Sequence, residues 1–151
     1  MLSDVIKITG KVALLLTDSD GQVKESREIP NLVVTAGKVF IAAAMAKTTV
    51  NTPAAMTHMA VGTTNTAPAI GDTTLAAEVA ASRTALSSST PSSNTIAYAC
   101  TFGPGVGTGA LVEAGIFNAS SAGTLLCRTV FSVINKAAGD TLTITWTITV
   151  S

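Results

Sequence analysis

Apolar and polar side chains alternate without interruption along residues 141–150. Between residues 141 and 150, threonines separate the apolar residues Leu142, Ile144, Trp146, Ile148 and Val150. A β-strand points successive side chains to opposite faces, so the pattern predicts a strand with one apolar and one hydroxyl-bearing face. β-Branched and aromatic residues suit such a half-buried surface. We therefore expect Trp146 to lie in the core of a sheet.

Shorter apolar runs predict seven further strands. They cover residues 5–8, 12–17, 23–28, 58–62, 95–102, 111–118 and 125–133, with Gly10 between the first two. The sequence Asp-Ser-Asp-Gly at 18–21 predicts a hairpin turn, because Asp and Ser side chains bond to nearby backbone and Gly accepts a positive φ. The four strands from residue 95 onward predict an antiparallel meander or part of a Greek key. The final strand would then pair with the three before it.

Two segments have helical character. Residues 36–47 follow Thr35, a suitable N-cap, and carry four residues at helical spacing that are expected to face inward: Val39, Phe40, Ala43 and Ala44. A second short helix, capped by Asp72 or Thr73, is predicted through Val79. Loops are predicted at 48–55, 63–72 and 87–94, of which the last is rich in Ser, Thr and Pro.

These elements predict one mainly β domain spanning residues 1–151. The expected fold is an antiparallel β-sandwich, jelly-roll-like, with one or two short α-helices. A chain of 151 residues can bury a core without a metal or a disulfide. Residues 1–30 would form an N-terminal hairpin region and are a candidate arm for contacting partners.

Charge is sparse and balanced. Charged residues make up 12% of the chain, with 9 basic against 9 acidic, and few lie between residues 29 and 112. Such a stretch is expected where neighbouring subunits cover the surface, although hydroxyls and small residues could also supply the polar surface of a soluble domain. We expect a homo-oligomer, a trimer. No basic patch favours nucleic acid, and no apolar run approaches the roughly 20 residues of a membrane span.

The candidate catalytic side chains lack the neighbours that chemistry would need. Cys100 and Cys127 lie in apolar runs and are expected to be buried free thiols; a disulfide is the alternative. His58 is the single histidine, and a packed or surface role is expected for it. The sequence therefore predicts no catalytic residues, although a small enzyme that pairs His58 with a cysteine remains a third hypothesis.

Two loops resemble ligand-binding motifs only in part. The glycines at 103, 105, 107 and 109 lead into a strand and lack the Lys-Ser or Lys-Thr of a phosphate loop, which indicates a flexible connection. Asp18 and Asp20 resemble the start of a calcium loop, but the remaining ligands do not follow. We expect neither a metal nor a cofactor.

Glu113 and Arg128 are charges inside otherwise apolar strands. Buried charges must be paired. If the two strands are neighbours, the side chains are expected to form a cross-strand ion pair that fixes the register. We interpret Glu113, Arg128 and Trp146 as structural residues.

An ordered set of segments resembles small structural proteins of tailed bacteriophages, of the tail-fibre-like or virion type. The segments are Asn-Leu-Val-Val-Thr-Ala-Gly-Lys (31–38), Met-Ala-Val-Gly-Thr-Thr (59–64), Thr-Ala-Pro (66–68), Asp-Thr-Thr-Leu-Ala-Ala-Glu (72–78), Thr-Phe-Gly (101–103), Glu-Ala-Gly-Ile-Phe-Asn (113–118), Arg-Thr-Val-Phe (128–131) and Leu-Thr-Ile-Thr-Trp (142–146). The resemblance implies a β-sandwich with a short helix, a place in the particle and no enzymatic activity, and it brings no catalytic residues.

The resemblance leaves two locations in the virion open. Tail fibres are long and often carry repeats, which this chain lacks, so a capsid decoration or cement protein that bridges head subunits is the first expectation. Its partners would be other copies of itself and the major capsid protein, after synthesis in the cytoplasm of the bacterial host. The alternative is a tail-fibre, collar or receptor-binding module that presents loops 87–94 and 103–109.

Overall fold

The computed structural model describes residues 4–46 and 53–151. These residues form two antiparallel sheets and one helix, which confirms the predicted mainly β fold. The elements are β1 (Ile8–Thr17), β2 (Val23–Pro30), β3 (Leu32–Val33), α1 (Thr35–Ala46), β4 (His58–Gly62), β5 (Thr84–Ala85), β6 (Ser88–Ser92), β7 (Thr95–Phe102), β8 (Gly109–Phe117), β9 (Leu125–Lys136) and β10 (Thr141–Val150).

The two sheets face each other across one apolar core. The first sheet has the strand order β2-β1-β10-β7-β6, and the second has the order β3-β9-β8-β4-β5. Leu14, Phe102 and Trp146 of the first sheet share a buried cluster with Met59 and Ile116 of the second. Burial of such large apolar side chains is the main force that holds two sheets together.

The final strand has the predicted two faces but different neighbours. Trp146 is fully buried between Val12 of β1 and Tyr98 of β7, and the threonines of β10 are half-buried on the other face. The expected pairing of β10 with residues 111–118 and 125–133 is wrong, because β8 and β9 pair with each other in the second sheet. The chain leaves the first sheet after β7 and returns only for β10, so β1 fills the other side of the final strand.

Four local predictions are also corrected. β1 continues through Gly10, where the missing side chain leaves room for Asn31. Residues 88–92, predicted as loop, are the edge strand β6, which turns into β7 with Ser93 at a positive φ of 53°. Residues 72–79, predicted as a helix, form turns and a bridge between Gly62 and Glu78. The first predicted strand begins only at Ile8, although Lys7 and Ser151 still exchange backbone hydrogen bonds.

The helix and the first hairpin lie where they were predicted, but Val39, which was expected to face inward, is 63% exposed. Asp18 Oδ1 accepts hydrogen bonds from the N–H groups of Asp20 and Gln22, both at 2.9 Å, and Gly21 has a φ of 79°. Helix α1 packs on β9 through Gly37, its only fully buried residue. The predicted helix end at Lys47 and residues 48–52 of the predicted loop lie outside the described residues.

A second, smaller apolar cluster lies on the outer face of the second sheet. It joins Ala60, Phe117 and Leu125 of that sheet to Val34 and to Leu75 of the long segment between β4 and β5. The segment and the start of α1 therefore cover this face, whereas the outer face of the first sheet carries the half-buried threonines of β10.

Candidate interaction surface

The predicted pair of buried charges is present between β8 and β9. Arg128 lies opposite Gly115, two residues from Glu113 on the same face of the sheet. Arg128 Nη2 is 2.7 Å from Glu113 Oε2, and Arg128 Nε donates to the same oxygen at 2.9 Å. The residues are 1% and 0% exposed. The contact expected from the sequence is therefore confirmed, and it lies on the outer face of the second sheet.

The pair also binds the long segment that follows β4. Arg128 Nη1 lies 2.8 Å from Asp72 Oδ2, and Arg128 Nη2 donates to the carbonyl of Thr66 at 2.9 Å. Glu113 accepts hydrogen bonds from the N–H groups of Ala76 at 3.1 Å and Ala77 at 2.7 Å. We call these six residues the buried network: Thr66, Asp72, Ala76, Ala77, Glu113 and Arg128. It attaches a segment that lacks regular structure to the sheet.

Each charge in the buried network is held by its partners. Burial opposes the charge on Arg128, but its hydrogen bonds to Glu113 and Asp72 outweigh that effect and raise its pKa. Burial also opposes ionisation of Asp72, but the N–H of Ala69 and the guanidinium of Arg128 together lower the pKa of Asp72. The sequence did not predict Asp72 as a member; the only signal was an acidic residue in a stretch with little charge.

Gly62 makes the room that the network needs. A Cβ atom at this position would lie 2.6 Å from the carbonyl oxygen of Ala77 and would also clash with the Glu113 carboxylate. Real side chains do not approach that closely, so only glycine fits without a shift of the segment. The donors and acceptors of the buried network bind one another, which suits a structural role and leaves them poorly placed for a ligand.

The two cysteines are buried and free, as predicted. Burial raises the pKa of the Cys100 thiol to about 12 and also raises that of Cys127. The thiolate is the reactive form of cysteine, so both are poor nucleophiles at neutral pH. The ring of His58 is engaged locally, with Nδ1 2.8 Å from Thr57 Oγ1.

The glycine-rich loop carries the chain from the first sheet to the second. Lys136 Nζ donates to the carbonyls of Gly103 at 2.9 Å and Asp140 at 2.7 Å, and Gly105 N–H donates to Ala138. Burial lowers the pKa of Lys136, although the Asp140 carboxylate opposes this effect. The loop is therefore anchored by protein groups, which differs from the flexible connection that we predicted.

One end of the sandwich carries an apolar groove. It is lined by residues 5–8 before and at the start of β1, and by Lys38, Ile41, Ala42 and Met45 of α1, and its volume is about 520 Å³. We call it the end groove. Val5 is 75% and Met45 73% exposed. Contiguous exposed apolar surface of this kind often marks a site of interaction with another molecule.

Helix α1 supplies much of this exposed apolar surface. Its sequence, Thr-Ala-Gly-Lys-Val-Phe-Ile-Ala-Ala-Ala-Met-Ala, has one charged residue, Lys38, and only Gly37 is fully buried. A helix that is apolar on all sides normally lies in a protein interior. The sequence predicted the helix but not the groove, because the groove also requires residues 5–8 to lie beside it.

The remaining observations concern ligands, membranes and relatives. Within residues 4–46 and 53–151, no three His, Cys, Asp or Glu side chains lie together as a metal-binding group. In the same ranges no helix has both the length and the apolar character needed to span a membrane. Comparisons of the chain with protein-family profiles, curated proteins and solved structures give no match.

Proposed function

We propose that this chain is a non-enzymatic structural protein of a tailed-bacteriophage particle that decorates the capsid and stabilises the head by bridging neighbouring subunits. The observation that carries the proposal is the end groove with the exposed apolar surface of α1. A protein with so little charge and such a surface gains stability when a partner covers it. In the proposed role, the major capsid protein and other copies of this chain supply that cover.

The positions of the phage-like segments support the same proposal. Asp72, Glu113 and Arg128 come from three different segments, yet they meet in the buried network. Gly62, from a fourth segment, provides the space beside them. Four of the segments that carry the resemblance therefore meet at one place in the fold, which supports reading them together.

The experiment uses the phage whose genome encodes this chain. Mass spectrometry of purified particles should detect the protein in many copies, and deletion of its gene should lower the resistance of the head to heat and osmotic shock. Supplying the wild-type protein should restore resistance, and so should Ile70→Glu, which changes an exposed apolar residue outside the end groove. Met45→Glu, inside the groove, should not. Clean particles that lack the protein would contradict the proposal.

A tail-fibre, collar or receptor-binding module is the second candidate. The observation that favours it is β6, whose five residues, Ser-Ser-Thr-Pro-Ser, are all exposed at one edge of the first sheet. Hydroxyl groups on an exposed edge can form hydrogen bonds with a receptor. Recombinant protein should then bind host cells and compete with phage adsorption, and a Ser89→Ala/Thr90→Val variant should compete less well. Failure of the wild-type protein to bind cells or to compete would exclude this candidate.

A further inference from the structure

The lining of the end groove and the turn at the other end of β1 carry opposite charges. At the Ile8 end, the end groove includes the side chains of Lys7 and Lys38. At the Thr17 end, the chain enters the turn 18–21, which carries Asp18 and Asp20. A strand rises about 3.3 Å per residue, so the ten residues of β1 separate the two ends by roughly 30 Å.

These end charges have no ionic partners within residues 4–46 and 53–151. The ion pairs in that part of the chain include Lys11 with Glu28, Arg27 with Glu25 and Lys24 with Asp140, and none involves Lys7, Lys38, Asp18 or Asp20. Residues 1–3 and 47–52 contain no acidic residue. The Asp18 carboxylate accepts hydrogen bonds within its own turn, which leaves the exposed Asp20 as the acidic group best able to meet a partner.

The turn also offers an apolar contact. Val23, two residues after the turn, is 62% exposed at the start of the edge strand β2. The lining of the end groove is apolar through residues such as Ile6, Ile41 and Met45, and basic through its two lysines. The hairpin end and the end groove therefore match in two respects, apolar against apolar and acidic against basic.

We propose that the β1–β2 turn of one copy of this chain docks in the end groove of a second copy. Val23 contacts the apolar side chains of the groove, and Asp20 lies near Lys7 and Lys38. A contact between two end grooves would also bury apolar surface, but it would bring four lysines together, and like charges across an interface are costly. The charge distribution therefore favours turn-in-groove contact over groove-to-groove contact.

The contact is head-to-tail, because the turn of each copy binds the groove of the next copy, and the two surfaces are different. Repeated head-to-tail contacts close into a ring or extend into a filament, depending on the rotation between neighbours. A trimeric ring is the smallest closed assembly of this kind beyond a dimer. The inference concerns only copies of this chain, so it stands or fails independently of the phage particle proposed above.

Charge exchange between the two surfaces provides the test. Asp20→Lys and Lys38→Glu should each weaken self-association of the full chain at least tenfold in sedimentation velocity and light scattering. The double variant Asp20→Lys/Lys38→Glu should assemble again whatever the number of copies, because each contact then places the introduced lysine of one copy near the introduced glutamate of the next. Lys11→Glu, an equal charge change on the exposed middle of β1, should assemble as the wild type does.

Three outcomes would overturn the inference. The first is a wild-type chain that stays monomeric up to about 1 mM, the limit of a weak specific contact. The second is assembly that neither single variant reduces. The third is a folded double variant that stays dissociated. Circular dichroism checks that each variant is folded, and Asp20→Asn with Lys38→Gln, which should weaken assembly in the same direction, replaces any variant that is not.

Discussion

Replacing Arg128 with methionine, which keeps an unbranched apolar stem but removes the guanidinium group, should destabilise the fold strongly. The substitution leaves the Glu113 carboxylate fully buried, with only the N–H groups of Ala76 and Ala77 as donors. Removing one partner of a buried ion pair costs about 3–5 kcal/mol. The total free energy of unfolding of a domain is about 5–15 kcal/mol, so the loss would be a large share of it.

Replacing the other member of the pair, Glu113, should lower the free energy of unfolding by less. In Glu113→Gln, Arg128 keeps Asp72 as an ionic partner at 2.8 Å, and the amide oxygen can still accept one hydrogen bond, so we expect a loss of about 1–3 kcal/mol. The double variant Glu113→Gln/Arg128→Met contains no unpaired buried carboxylate at position 113. Its loss should therefore be smaller than the sum of the two single losses, by at least about 1 kcal/mol.

Urea unfolding followed by fluorescence provides the measurement, because the single, buried Trp146 reports on the core. Lys11→Met is the matched control: it removes an exposed ion pair with Glu28, which should cost less than about 1 kcal/mol. Hydrogen exchange at the amides of Ala76 and Ala77 should accelerate in Arg128→Met. The reasoning is refuted if Arg128→Met costs no more than Lys11→Met, or if the two network substitutions are additive.

Three further predictions follow from local features. The pKa of Asp72 is below its ordinary value of 3.8, so the carboxylate stabilises the fold fully above pH 3.8 and this contribution is lost as the pH falls through the lower folded pKa. The Tm should therefore fall more steeply in acid for the wild type than for Asp72→Asn, and parallel curves of Tm against pH would contradict this. Gly62→Ala should lower the free energy of unfolding by about 1–3 kcal/mol. Gly103→Ala, where an added Cβ meets no described atom within 4 Å, should change it by less than about 0.5 kcal/mol, and equal losses in calorimetry would count against the packing argument. Cys100 and Cys127 should not react with a thiol reagent at pH 8 until urea unfolds the protein, and rapid labelling of either in the folded state would show that burial does not protect it.

The strands themselves were predictable from local sequence. The bounds of β4, β7 and β10 match the predicted ranges, because alternation of apolar and polar side chains is a property of neighbouring residues. The pairing of β10 was not predictable in the same way. Every long strand that borders the core presents an apolar face, so alternation cannot distinguish β1 and β7 from β8 and β9 as neighbours.

The false second helix shows how a distant side chain can override a local pattern. Residues 72–79 have helical spacing, but the N–H groups of Ala76 and Ala77 donate to Glu113, which is more than thirty residues away. Those donors then cannot follow the helical hydrogen-bond pattern. The Glu113–Arg128 pair was predictable because charges in apolar strands need partners. The end groove was not, since it joins two segments that only the fold brings together.

The position of β10 has a consequence for how the chain folds. It lies in the middle of the first sheet, between β1 and β7, yet the ribosome synthesises it after every other strand. Until it emerges, β1 and β7 each present an open backbone edge to which another chain could add. Pairing between strands so distant in sequence is also slow to form. We therefore expect aggregation during synthesis to depend on how quickly β10 joins the sheet. Truncation within β10 should lower soluble yield more than its loss of buried surface alone would imply.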